Sequence, residues 1–343
     1  MAGKGSVFLI GPGFIGLEVL AELLKDGYQV TTLVRREDAA ADLQKKGSKT
    51  ILGTLSDSDT ITNAVVSSDI VIHTASADDK PSVEAVLDGI SKRAGTGKST
   101  IYIHTSGCSE ITDQSHGKYV SKTIYEDDKP EAIDALPDSA PHRKIDLAIL
   151  KKRKELGSKA KISIVLPPVV YGVGKASGRL SIQVPTLARF AIKHGYAGYV
   201  GAGDSVWGYI HVTDLAQGYL TILHWMEQTS PEKILENPYF FVENGEEHSW
   251  KSCAEELGKT LYDAGKIKDA TPKEIPGSLY GDIFGEWSMS VVGENSRNRA
   301  NRLRALGWKA REKSAFESLH EDEIPVLLKE EGVFTGYAKA VAS

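Results

Sequence analysis

The sequence predicts an α/β protein, a doubly wound parallel sheet with a smaller mixed α/β subdomain at its C-terminal end. Three observations predict it. Up to residue 166, short apolar runs alternate with helix-period segments, the pattern of crossover units feeding a parallel sheet. A glycine-rich turn, Gly11-Pro12-Gly13-Phe14-Ile15-Gly16, joins the first apolar run to the first helical segment. Beyond Leu166 the simple alternation ends, and helices mix with short strands.

Taken in order, the first strand is Ser6–Ile10 and a helix follows over residues 14–26. Gly27 stands where a helix end needs a residue tolerant of left-handed backbone, so the second strand, residues 28–34, begins at once. A helix through Asp42 and Leu43 leads to further buried strands at residues 49–52, 69–74, 99–104 and 161–166, which makes six. Residues 107–140 dissolve into polar stretches with Pro130, Pro137 and several Asp, read as a long excursion facing an active site. A helix over residues 145–156 presents Leu147, Leu150 and Leu156 on one side, and its Lys151-Lys152-Arg153-Lys154-Glu155 run reads as a solvated face. Later helices are expected at residues 181–193, 213–227 and 250–263, with strands at 206–212 and 239–243. The expected division is a nucleotide-binding domain of residues 1–170, rejoined by residues 204–245, and a substrate-binding subdomain of residues 171–203 and 246–343.

The glycine turn carries the first chemistry. In G-x-G-x-x-G the first glycine permits the tight turn, the second lets a pyrophosphate approach the backbone, and the third lets helix pack on strand. The helix N-terminus adds donors and the positive end of its dipole. Gly11, Gly13, Phe14, Ile15 and Gly16 are therefore expected to hold a dinucleotide, on a Rossmann-type sheet. About twenty residues on, where NAD-binding chains place an acid for the ribose 2′-hydroxyl, stand Arg35 and Arg36. Two guanidiniums suit a 2′-phosphate, so NADP(H) is expected in preference to NAD(H), with Glu37 and Asp38 as the alternative ribose ligands.

Composition bounds the rest. A chain of 343 residues with 41% hydrophobic content can bury a large core. A net charge of −5 without a basic stripe argues against nucleic acid. Two cysteines, Cys108 and Cys253, make no disulfide framework, and the N-terminal apolar run is too short for a signal peptide. No stretch approaches the roughly 20 apolar residues of a membrane span. The expectation is a cytoplasmic monomer or homodimer that takes a small-molecule substrate and needs no metal.

Further motifs resemble those of the extended short-chain dehydrogenase/reductases, the epimerase/dehydratase-like branch. Val71-Ile72-His73-Thr74-Ala75-Ser76 resembles the family's fourth-strand end beside the cofactor, and Ile103-His104-Thr105-Ser106-Gly107 its fifth-strand end near the catalytic Ser or Thr. Leu166-Pro167-Pro168-Val169-Val170-Tyr171-Gly172 is similar to the nicotinamide-side proline motif. The segment from Trp207 to Ala216 resembles the family's "HV-x-DLA", and Leu306-Gly307-Trp308 its "LGW". The resemblance implies that Thr74, Ala75, Pro167 and Val169 line the cofactor and that Ser106 stands near the chemistry. It also implies that the "HV-x-DLA" segment is structural, with Asp214 capping a helix that starts near Leu215. Cys108 reads as a small buried residue.

The family's Tyr-x-x-x-Lys is missing. At the expected interval before Pro167 the chain reads Pro141-His142-Arg143-Lys144-Ile145-Asp146, which puts His142 in the tyrosine's place and Asp146 in the lysine's, one helical turn apart. His142 is then the candidate proton-transfer group, Asp146 its orienting carboxylate and Ser106 the hydroxyl, with Tyr119 and Tyr125 as fallbacks. Three functions fit: an NADP(H)-dependent oxidoreductase on a carbonyl-type substrate, a non-catalytic NmrA-like sensor, or a non-redox isomerase or lyase. Tyr196, Tyr199, Trp207, Tyr209, Phe284 and Trp287 would line a cleft or, more commonly for such residues, fill a core.

Overall fold

A computed structural model describes residues 4–330 and residue 336. Its first half runs β1 (Ser6–Ile10), α1 (Phe14–Lys25), β2 (Gln29–Val34), α2 (Glu37–Lys45), β3 (Lys49–Leu52), α3 (Ser58–Val66), β4 (Ile70–His73), α4 (Lys80–Gly95) and β5 (Ile101–Thr105). The excursion that follows holds a 3₁₀ turn (Cys108–Ile111), β6 (Tyr125–Glu126) and the short α5 (Pro130–Asp134). Then come α6 (Arg143–Leu156), β7 (Lys161–Leu166), β8 (Val169–Tyr171), α7 (Gln183–His194), β9 (Tyr196–Tyr199), β10 (Val206–His211), α8 (Val212–Gln228), α9 (Pro231–Leu235) and β11 (Tyr239–Phe241).

Seven strands form one parallel sheet in the order β11-β7-β5-β4-β1-β2-β3. The six strands expected from the sequence are all in it, and β11 extends it beyond β7. Helices α3, α4 and α6 pack together, while α1 lies against α8. Burial on both faces explains the continuous apolar runs: Val7 to Ile10, Ile70 to Ile72 and Ile162 to Leu166 contribute core side chains at almost every position. Gly27 ends α1 with φ +86°, as its position requires. The remainder is mixed, with β8, β10 and Glu247–Ser249 in a second sheet and β9 paired to Asp269–Glu274 in a third. Among the described residues no helix is long and apolar enough to cross a membrane.

Three local expectations need correction. The buried residues of α6 are Arg143, Ile145, Asp146, Ile149 and Arg153, not the three leucines, which are only partly covered. Arg153 is therefore no solvated residue: its Nε donates to the Ile162 carbonyl at 3.2 Å, and it also reaches the Ile234 carbonyl. Asp214 does not cap α8, which begins earlier than expected. His211 is the cap, its Nδ1 accepting from the Thr213 N–H at 3.2 Å, while buried Asp214 accepts from the N–H groups of Arg311 and Glu312 at 3.0 Å and pins that loop. Of the six aromatic candidates, Trp207, Tyr209 and Phe284 are core.

Candidate functional site

Strand order reverses between β1 and β4, and a crevice outside their carboxyl ends is where open α/β sheets bind ligands. The glycine turn sits there. Gly11 has φ +94°, and a Cβ on it would stand 2.4 Å from the Ala75 Cα; a Cβ on Gly16 would stand 2.0 Å from the Gly11 carbonyl and 2.6 Å from Thr74 Oγ1. Thr74 locks the turn, donating to the Gly11 carbonyl at 2.7 Å. Gly13 is the N-cap of α1 without a side-chain cap, and the first turn of that helix holds no acid. A bare, positively polarised helix end behind a glycine cradle fits a dinucleotide's diphosphate. Just after β2, Arg35 and Arg36 are exposed, and Arg36 Nε bonds Asp38 at 3.1 Å.

Alongside, three side chains converge from three elements. His142, at the N-terminus of α6, presents Nε2 to Ser109 Oγ at 2.6 Å and Nδ1 to the Asp78 carboxylate at 2.9 and 3.0 Å. Asp78 lies beyond β4 and Ser109 beyond β5, so adjacent strands deliver both to the edge that carries the glycine turn. His142 is held in left-handed backbone, φ +63°, which only one other non-glycine residue described adopts. Such a conformation costs on the order of 1–3 kcal/mol and persists where its surroundings over-determine it.

Beneath lies a buried polar layer. His73 on β4 and His104 on β5 are register partners with ring centroids 5.5 Å apart. Burial pushes His73 down to about 4, and burial with the neighbouring His73 and His142 rings pushes His104 well below the imidazole range, so both stay neutral. Asp146 is fully buried; desolvation and the nearby Glu110 carboxyl push it well above the carboxylate range. The charge of Glu110 is met by buried Arg143 at 3.2 Å.

The geometry revises one candidate pairing. The carboxylate bonded to His142 belongs to Asp78; Asp146 is buried among Ser106, Glu110 and His104, whose ring lies 3.9 Å away. A carboxylate buried that deeply is the wrong kind of partner, because burial favours its neutral form. Ser106 is also buried, its N–H donating to the Val165 carbonyl at 2.8 Å, and the hydroxyl on His142 comes from Ser109 instead. Sequence carried a faint sign of Asp78: two adjacent Asp precede α4, and only Asp79 serves as its cap, accepting from the Ser82 N–H at 2.9 Å. Nothing local marked Ser109. Pro167 and Val169 are buried after β7, with the Pro167 carbonyl accepting from the Cys108 N–H at 3.0 Å. Cys108 is buried, and burial raises its thiol well above the ordinary range. Tyr119 is exposed, and Tyr125 is half-buried on β6.

Residues 11–142 match the family described as NAD(P)H-binding. The oxidase ucsJ of Acremonium sp is 26% identical over 318 residues, 87% of this chain and 90% of its own length. A UDP-glucose 4-epimerase of Thermotoga maritima, solved with UDP-glucose, superposes with a TM-score of 0.64 at 16% identity over 92% of this chain and 96% of that one. The UDP-glucose 4-epimerase of Thermus thermophilus, solved with NAD, gives 0.63 at 16% identity over 94% and 99%. The likeness to these epimerases is one of fold.

Proposed function

We propose that this chain, which has the NAD(P)-binding fold of the extended short-chain dehydrogenase/reductases, is an NADP(H)-dependent oxidoreductase acting on a small carbonyl-type substrate. The observation that carries the reading is His142, held between Asp78 and Ser109 at the sheet edge where the glycine turn lies. Gly11, Gly13, Phe14, Ile15 and Gly16 hold the diphosphate, Thr74 and Ala75 back that turn, Pro167 and Val169 border the nicotinamide end, and Arg35 with Arg36 takes the 2′-phosphate. Bound there, NADPH supplies the hydride.

The protein's own part is orientation and a proton. Asp78 holds Nδ1 of His142 and so fixes the ring's orientation, which leaves Nε2 as the side on which a proton passes to or from Ser109. A relative named as an oxidase supports redox chemistry. The second reading, a sensor that binds NADP(H) without turnover, draws on the missing Tyr-x-x-x-Lys. His142→Ala separates them. Positioned acid catalysis contributes roughly 10²- to 10⁴-fold, so the variant should lose at least about 100-fold in turnover with NADPH affinity intact. Near-normal turnover in His142→Ala would remove the ring from the chemistry.

A further inference from the structure

Resting on that reading, we propose that Ser109 is the hydroxyl that meets the substrate's carbonyl oxygen, and that His142 acts on the substrate only through it. Both ring nitrogens of His142 are engaged, Nδ1 by Asp78 at 2.9 and 3.0 Å and Nε2 by Ser109 Oγ at 2.6 Å. No nitrogen is left to present to a ligand. The ring cannot swing freely either, because its backbone is fixed at φ +63° and the Gly107 backbone lies close: a Cβ there would stand 3.3 Å from Nε2. Gly107 thus keeps the approach between serine and imidazole clear of side chain.

Ser109 is placed to act as the outer member. It is partly exposed, whereas Ser106 and Asp146 are buried below it. Its hydroxyl bonds His142 alone, since Thr112 Oγ1 takes the Ser109 backbone carbonyl, at 2.8 Å. One lone-pair side of Oγ is therefore open to a ligand.

The step balances without a further reagent. As hydride from the reduced nicotinamide reaches the carbonyl carbon, the C=O π pair moves to oxygen, which takes the Ser109 Oγ proton. Ser109 Oγ takes the His142 Nε2 proton in turn. His142 ends neutral, its Nδ1–H still donated to Asp78, and the carbonyl has become an alcohol while NADPH has become NADP⁺. Once the product leaves, solvent returns the missing proton to Nε2 through the partly exposed Ser109 hydroxyl, and Asp78 keeps its hold on Nδ1 throughout.

The test compares Ser109→Ala, Ser109→Thr, His142→Ala and the Ser109→Ala/His142→Ala double variant. It reads turnover on a panel of small aldehydes and ketones, NADPH affinity, and the ¹⁵N resonances of the His142 ring. Ser109→Ala should lose at least about 100-fold in kcat with NADPH affinity unchanged. Ser109→Thr should restore most of it, and the double variant should be no slower than His142→Ala, because members of one relay do not add. The Nε2 resonance should move in Ser109→Ala. If Ser109→Ala turns over normally while His142→Ala is slow, or if Nε2 is indifferent to Ser109→Ala, the inference fails and the His142 reading stands. If the wild-type chain reduces no carbonyl in the panel, both fail.

Discussion

The proposed preference for NADP(H) rests on Arg35 and Arg36, two exposed side chains, and is checked by ligand-linked stability. A ligand that binds only the folded state stabilises it more the further its concentration exceeds its Kd, so a preference for NADP should raise the melting temperature more with NADP than with NAD at equal concentration. Arg35→Ala with Arg36→Ala should erase the difference; equal shifts in the wild-type chain would reassign the ribose to Glu37 or Asp38. Glu323 makes a prediction of a different kind. It is buried, and desolvation lifts its carboxyl from 4.5 to about 7. A raised acid favours the protonated folded state, so its contribution is complete below about 4.5 and is lost as pH rises through about 7. Each pKa unit is worth about 1.4 kcal/mol, which bounds the loss near 3 kcal/mol. Glu323→Gln should therefore leave stability unchanged at pH 4 and raise it at pH 8 in urea unfolding; a variant that is destabilised equally at both would show that the carboxyl is not the source. At this scale the missing tyrosine motif marks His142 in the sequence as a candidate, and the structure places it in a cluster with two partners. The sequence was not legible for Asp78 and Ser109, because their contacts with His142 span 64 and 33 residues of chain.

At the scale of elements, the glycine turn divides into a binding part and a packing part. Gly16 faces the Gly11 carbonyl at 2.0 Å from where a Cβ would be, and backbone cannot move aside as a side-chain tip can. Gly16→Ala should therefore destabilise the fold by about 1–3 kcal/mol, the usual range for overpacking. Gly13→Val should instead abolish NADPH binding in a protein that stays folded, since a side chain would stand where the diphosphate meets the helix end. Calorimetry on folded Gly13→Val that returned wild-type affinity would refute the assignment. Strands β1 and β7 were readable to the residue because burial on both faces leaves long apolar runs. The inward face of α6 was not, since two of its buried positions are Arg143 and Arg153, whose partners are a distant carboxylate and distant carbonyls. A hydrophobic pattern cannot announce a buried arginine.

The whole molecule joins a seven-stranded parallel sheet to a hydrogen-bonded Asp78–His142–Ser109 cluster assembled after β4, after β5 and at the start of α6. Alternating elements and the glycine turn made that sheet predictable, while the small second and third sheets depend on pairings across long separations, as between β8 and β10 or β9 and Asp269–Glu274. The fold alone is shared by proteins of different chemistry, so the proposed reaction is argued from the Asp78–His142–Ser109 cluster. The proposed reaction requires that hydride leave the bound cofactor for a carbonyl carbon. The measurement is isotopic: the chain is incubated with carbonyl substrates and NADPH deuterated at the transferring position of C4, and the product alcohol is analysed by mass spectrometry. One deuterium on carbon for each NADPH consumed is the predicted result, and tight binding of the cofactor with neither consumption nor label in product would contradict it.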